Sequence, residues 1–377
     1  MRNQLVNNTL TLYFEGELNS YNAENIEKDI EAVLADKQFN ELVLDFSNLH
    51  YISSAGLRII LKLKQKYDNT RIIEASLEVY DVLSMTGFTN IMKIEKALKR
   101  VYLSGAEVVG EGYFSTVYRI DRDTIIKVFN RVSDPDQIQR ELRLAKEAFV
   151  LGIPTAISFD IVRAEDKLGV RFEMLDCDSL KNLYLKYPER YDELTNKYIE
   201  LIKKINSTEC VDPNMPRVID QYNNKFEAMK PYLGEYAAKM EKLLKGIKDV
   251  NTFVHGDCHF KNIMVQNDEL ILIDMDTLAV GNPIFELAAI YAPYIAFEED
   301  DPGNNERFLG IKPEFAQKLY HDLEVGCFGE DEKTLKTIKA LSYLHMMWWT
   351  SVNQKENEVR FNGCKNRLFK LLDELKA

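Results

Sequence analysis

Two short stretches concentrate side chains able to do chemistry. In VHGDCHFKNIMV (254–265), Asp257 stands five residues ahead of Asn262 between apolar flanks, and ILIDMDTL (271–278) then sets Asp274 and Asp276 two residues apart. Further upstream, VVGEGYFSTVYRI (108–120) carries Gly110 and Gly112 between strand-like runs, and TIIKVF (124–129) places Lys127 among apolar residues. Glycines at such a hairpin let the backbone close over phosphates with no Cβ in the way. An ammonium on a largely buried strand is costly unless a carboxylate or a bound phosphate answers it. Glu141, in RELRLAKEA on the next helical segment, is the expected partner, with Glu147 as the alternative.

The chemistry these residues suit is phosphoryl transfer. That reaction needs a carboxylate to orient an acceptor hydroxyl and take its proton, and oxygen ligands for the Mg²⁺ that bridges nucleotide phosphates. Asp257 fits the first role; Asn262 and a carboxylate from the following strand end fit the second. His255 is expected to hydrogen-bond nearby backbone instead of acting as the base. Cys258 has no base arrangement that would make it a nucleophile. HMMWWTSVNQ (345–354) is apolar at helical spacing, so Trp348 and Trp349 are expected in the core.

The elements that must position these groups fall into two grammars. Up to about residue 100, TLTLYFEGEL, ELVLDFS and TRIIEA read as strands, and AENIEKDIEAVLAD, SAGLRIILKLKQKY and LEVYDVLSMTGF as helices. This predicts a small α/β domain over residues 1–100, with a strand ending at Phe46. From about residue 104 a second pattern starts with strands and one helix, then turns mostly helical after residue 180. No Gly/Ser/Pro-rich linker separates the two. FEEDDPGNNERF (297–308) is polar and turn-rich and reads as an exposed loop.

In LDFSNLHYISSAGLRIIL, Ser53 and Ser54 stand just before a helix. A serine there caps free backbone N–H groups. The same position, at the positive end of the helix dipole, tolerates a phosphoryl group.

Composition sets bounds. The chain has 377 residues, 46% hydrophobic and 29% charged, with net charge -12. That is ordinary globular material and too long for one core, so two or three domains are expected. The acidic balance lies mainly beyond residue 100 and argues against nucleic acid or anionic membrane as a partner. No apolar run is long enough to span a bilayer, and the N-terminus lacks the pattern of a signal peptide. Five scattered cysteines suit a reducing, cytoplasmic setting and give neither a disulfide framework nor a zinc site.

Residues 1 to about 100 resemble the STAS (anti-sigma-factor antagonist) family through LTLYFEGELNSYNAENI, LVLDFSNLHYISSAGLRIIL and SLEVYDVLSMTGF, in that order. The resemblance places Ser54 at the family's phosphorylated position, with Ser53 standing where the family has Asp, and it implies a protein partner. Residues 104–377 resemble the protein-kinase-like fold, and within it the aminoglycoside phosphotransferase and choline kinase branch. HGDCHFKN resembles its catalytic loop and LILIDMDTLAVGNPIFELA its metal strand, with Asn282 and Glu286 standing where the branch carries Asp. This implies an N-terminal lobe over 104–176 and a mostly helical C-terminal lobe over 177–377. It further implies Asp257 as base, Asn262 and Asp274 as Mg²⁺ ligands, Lys127 on the nucleotide phosphates, and the backbone at Glu173 and Leu175 holding adenine.

The reading is an α/β plus α+β chain: an STAS-like regulatory domain followed by a bilobal kinase-like domain. That domain uses ATP and Mg²⁺ to phosphorylate a hydroxyl of a small molecule. Two alternatives stand beside it. One is a protein serine kinase acting on a partner or on its own first domain; the other is a non-enzymatic partner-binding regulator with an inactive kinase-like body.

Overall fold

The structure, a computed structural model, describes residues 1–112, 115–130, 135–175 and 177–375. Tyr113, Phe114 and Asp176, which belong to the motifs above, lie outside them. The chain divides into two compact units: Met1–Tyr102 with Val162–Asp166, and Leu103–Ile161 with the residues from Lys167 onward.

In the first unit, β1 (Asn3–Val6), β2 (Thr9–Leu18), α1 (Ala23–Ala35), β3 (Glu41–Ile52), α2 (Ser54–Lys66), β4 (Thr70–Ala75), α3 (Leu77–Met85) and β5 (Ile94–Lys96) follow in sequence. The strands form one sheet in the order β1-β2-β3-β4-β5, antiparallel at the first pair and parallel thereafter. Parallel neighbours need crossover connections, and α1, α2 and α3 supply them. Alternation along β2 buries Leu10, Leu12 and Phe14 against Leu42, Leu44, Phe46, Ile60 and Leu83.

β3 does not end at Phe46 as the sequence suggests. After Phe46 it shifts register against β2 and resumes, with Asn48 opposite Glu15 and Ile52 opposite Leu18. The polar Ser47-Asn48 pair reads as a turn, but Leu49 and Ile52 are both buried and draw the strand onward into the core. β3 therefore feeds α2 directly. Ser53 is the N-cap, its Oγ accepting the Gly56 N–H at 3.4 Å, while Ser54 opens the helix and is exposed.

The second unit begins with an antiparallel sheet. Strands Glu107–Glu111, Ser115–Arg119, Thr124–Phe129 and Lys167–Glu173 pair in that order, and the strand Ser158–Ala164, which belongs to this unit as far as Ile161, continues the sheet. Helix Pro135–Val150 covers it, with Ile138 and Leu142 against Phe129 and Val170. The remainder is a helical body around one large apolar core, into which short strands Phe253–Val254, Ile263–Gln266, Glu269–Leu272 and Ala279–Val280 are set. Trp348 packs half-buried on that core, and Trp349 meets Phe297 edge-on at 5.1 Å.

Residues 297–308 are not an exposed loop. Helix Phe297–Asp300 and a π-helical turn, Asn305–Leu309, occupy most of the stretch. Its acidic residues are answered from the last helix, Glu358–Glu374: Arg367 meets Asp300 at 2.7 Å, and Arg360, only 2% exposed, meets Asp301 at 3.3 Å. An acid-rich run looks solvated when its counter-charges lie some sixty residues further on. Among the described residues no helix is long and apolar enough to cross a membrane.

Candidate active site

Lys127 lies on the strand Thr124–Phe129, whose neighbouring positions Ile126 and Val128 are buried on the opposite face. Its Nζ donates to Glu141 Oε1 at 2.8 Å and to Asp274 Oδ1 at 2.7 Å. Burial alone would lower the Lys127 pKa. Asp274, Glu141 and Asp276 together outweigh it and hold the ammonium above its ordinary range. Burial raises the Glu141 carboxyl, with Lys127 opposing the rise. At Asp274 the balance reverses: desolvation is overcome by Lys127, and the carboxyl stays below its usual value. Asp274 is held at φ 67°, a left-handed conformation rare outside glycine, so the surrounding fold fixes where this carboxylate points.

Asp257 follows the two-residue strand Phe253–Val254. Gly256 makes the turn between them at φ 80°, where a Cβ would stand 3.2 Å from the Thr277 carbonyl. The Asn262 amide donates to Asp257 Oδ2 at 2.9 Å and to its carbonyl at 3.0 Å. Both bonds use the amide nitrogen, which leaves the Asn262 side-chain oxygen without a hydrogen-bond donor among the described residues. The Ile273 N–H donates to the Asn262 carbonyl at 2.9 Å, tying the loop to the strand end that presents Asp274. One hard oxygen from each side fits Mg²⁺, which takes one or two protein ligands and fills its shell with phosphate and water.

The walls around Asp257 desolvate its carboxyl and raise it to about 7, opposed first by His255. Solvent reaching the 42% of the side chain that stays open works against the rise. His255 is buried, and its Nδ1 accepts the Asp257 N–H at 3.2 Å, the structural role its position suggests. His259 Nε2 lies 3.6 Å from Asp257 Oδ1, and burial holds that imidazole down at about 4. Asp276 stands beside the cluster; desolvation by its neighbours and the Asp274 charge raise its carboxyl, and the solvent reaching this exposed side chain works against the rise.

Gly110 and Gly112 flank the hairpin, Gly110 opposite Val117 and the Gly112 N–H donating to the Ser115 carbonyl at 2.8 Å. The Glu173 N–H donates to the Ile157 carbonyl at 2.9 Å, and its side chain accepts the Ile157 N–H at 2.7 Å. Leu175, two residues on, is buried. Glu147, the alternative partner for Lys127, lies instead beside Arg143 and Cys210.

Glu286 is the residue the sequence under-rated. It is fully buried, and its two oxygens accept the His255 N–H at 2.6 Å and the Gly256 N–H at 3.2 Å. Its signals were a lone carboxylate inside the apolar run IFELAAIY and its place where the resembled branch carries Asp.

A strand lysine paired to a helix glutamate, set over a helical body that carries the Asp257–Asn262 loop and Asp274, is the arrangement of a kinase-like phosphotransferase. The chain belongs to the phosphotransferase enzyme family, whose model matches residues 105–310, and residues 2–101 match the STAS domain. Over 93 residues it is 34% identical to BtrV of Bordetella bronchiseptica, whose name marks it as a candidate anti-sigma factor antagonist; the match covers 24% of this chain and 79% of that one. Over 268 residues it is 24% identical to protein LicA of Haemophilus influenzae, covering 62% of this chain and 97% of LicA. Among solved structures it resembles the apo form of a thermostable mutant of aminoglycoside phosphotransferase APH(4)-Ia. That likeness has a TM-score of 0.48 and 14% identity, over 71% of this chain and 94% of the other.

Proposed function

We propose that this chain transfers the γ-phosphoryl group of ATP to a hydroxyl of a small molecule. The observation that carries the reading is Lys127 bonded at once to Glu141 and Asp274, with Asp257 held by Asn262 on the adjoining loop. Lys127 would meet the nucleotide phosphates beneath the Gly110–Gly112 hairpin, and the backbone at Glu173 and Leu175 would meet adenine. The acceptor oxygen attacks the γ-phosphorus, the bond from that phosphorus to the β,γ-bridging oxygen breaks, ADP leaves, and the hydroxyl proton passes to Asp257. A carboxyl raised toward neutrality is matched to that proton transfer. Asn262 and Asp274 would hold Mg²⁺, which when bound neutralises charge on the phosphates.

Residues 2–101 would bind a protein partner, with Ser54 the position for regulatory phosphorylation. An exposed hydroxyl at the start of α2, left unoccupied by the capping role of Ser53, supports this. ADP release by the purified chain against a panel of hydroxyl compounds, with and without Mg²⁺, tests the catalytic reading. Turnover that needs Mg²⁺ and falls about 10²- to 10⁴-fold in Asp257→Asn is expected. Undiminished turnover in that variant would refute the assignment.

A further inference from the structure

Lys261 and Lys181 are two cations that the phosphotransfer chemistry above does not use. Lys261 lies four residues after Asp257 on the same loop, which Cys258 and Phe260 anchor in the core. Its Nζ donates to the Phe308 carbonyl at 3.0 Å and stands 4.5 Å over the Phe308 ring. Lys181, near the start of helix Leu180–Lys186, reaches the same segment. A Cβ built on Gly310 would sit 2.5 Å from its Nζ, so the tip of this side chain lies close over the Gly310 backbone, whose φ is 69°. One stretch, Phe308 to Gly310, thus gathers both charges.

Neither ammonium is in an ion pair among the described residues, in a chain of net charge -12 where carboxylates outnumber cations. Lys261 is half-buried. The His259 ring bridges the two ends of this group, 3.6 Å from Asp257 and edge-on to Phe308 at 5.6 Å. Two cations without an ion pair, gathered on one segment that His259 joins to the candidate base, call for an anion. The nucleotide phosphates already have Lys127, on the sheet. Lys181 and Lys261 both belong to the helical body, so their anion enters with the acceptor.

We propose that Lys181 and Lys261 hold a negatively charged acceptor, a hydroxyl compound bearing a carboxylate or phosphate, with its hydroxyl turned to Asp257. The inference rests on the phosphotransfer reading and adds the acceptor's charge to it.

Calorimetry on the full chain, loaded with Mg²⁺ and a non-hydrolysable ATP analogue, tests it with four probes: glycerate, glycerol 3-phosphate, glycerol and choline. At least one anionic probe should bind, with glycerol and choline at least tenfold weaker; which anion wins separates carboxylate from phosphate. Lys181→Ala and Lys261→Ala should each weaken the anion about 10- to 100-fold, the range for a hydrogen bond to a charged group, with nucleotide affinity kept and Lys→Arg restoring most of the loss. Choline or glycerol binding better than either anion would overturn the proposal. So would no anion binding at millimolar concentration, or anion binding indifferent to both lysines. If the nucleotide analogue itself fails to bind, the phosphotransfer reading falls first and takes this one with it.

Discussion

Glu286→Gln is the most informative single change. The carboxylate sits fully buried and accepts two backbone N–H groups of the loop that carries Asp257, at 2.6 and 3.2 Å. Gln keeps one acceptor oxygen and turns an NH₂ toward the other N–H, so one hydrogen bond is lost, worth about 0.5–1.5 kcal/mol where the parent carboxyl is protonated and neutral. Burial also raises the Glu286 carboxyl to about 7, against the pull of those two N–H groups. A carboxyl raised in the folded state stabilises fully below its unfolded value, and that contribution disappears as pH climbs through its folded one. The parent should therefore lose ~3 kcal/mol from this group between about pH 4.5 and 7, at about 1.4 kcal/mol per pKa unit. Gln carries no such slope, so its deficit should be largest in acid and shrink toward pH 7. Urea unfolding of both proteins across that range measures the difference. In kinetics the variant should lose kcat about 10- to 100-fold, with the KM for ATP little changed, because the loop shifts and the nucleotide side does not. Parallel pH–stability curves together with an unchanged kcat would refute the argument that Glu286 sets the loop.

Other expectations are separable from that one. Asp274→Ala should abolish the Mg²⁺-dependent tightening of ATP binding in calorimetry; a full remaining Mg²⁺ effect would pass the ligand role to Asp276. Ser53→Ala should cost about 0.5–1 kcal/mol in unfolding experiments, at the low end for an N-cap because its bond to Gly56 is long at 3.4 Å, while Ser54→Ala should leave stability unchanged. Arg360→Leu should destabilise by about 1–3 kcal/mol, since it removes a buried partner of Asp301 and of Gln354 while Asp301 keeps Arg307 and some solvent. A thermal melt unchanged in that variant would contradict the packing described for residues 297–308.

What could be read from the chain alone follows how local each signal is. Lys127 needed a carboxylate, and Glu141, one helix away, was within reach of such reasoning. That Asp274 would take the same ammonium was not, because the contact joins positions 147 residues apart through the fold. The Phe46 misreading came from a register shift, which has no sequence period and shows only when Leu49 and Ile52 are seen inside. The stretch 297–308 failed for the opposite reason: its composition is that of a loop, and Arg360 and Arg367, which neutralise it, belong to a helix with an ordinary amphipathic pattern.

The Asp257 loop shows why a reactive group is legible when its supports are not. Its backbone is fixed from several sides: Glu286 takes the N–H groups of His255 and Gly256, the Thr277 hydroxyl donates to the His255 carbonyl at 2.6 Å, the Tyr198 hydroxyl donates to the Cys258 carbonyl, and the Tyr294 hydroxyl accepts the Phe260 N–H at 3.0 Å. Those partners come from four separate places in the chain, and none has a spacing that points to the loop. With the backbone polar groups engaged behind and Cys258 and Phe260 sunk in the core, the loop has little freedom to rearrange, and Asp257 and Lys261 keep a fixed relation to each other. A carboxylate and an ammonium locked four residues apart would be expected to neutralise one another if the loop could bend, yet Lys261 bonds the Phe308 carbonyl instead. The rigidity that positions the base therefore also keeps the cation unspent, available to a ligand and not to the protein's own acid.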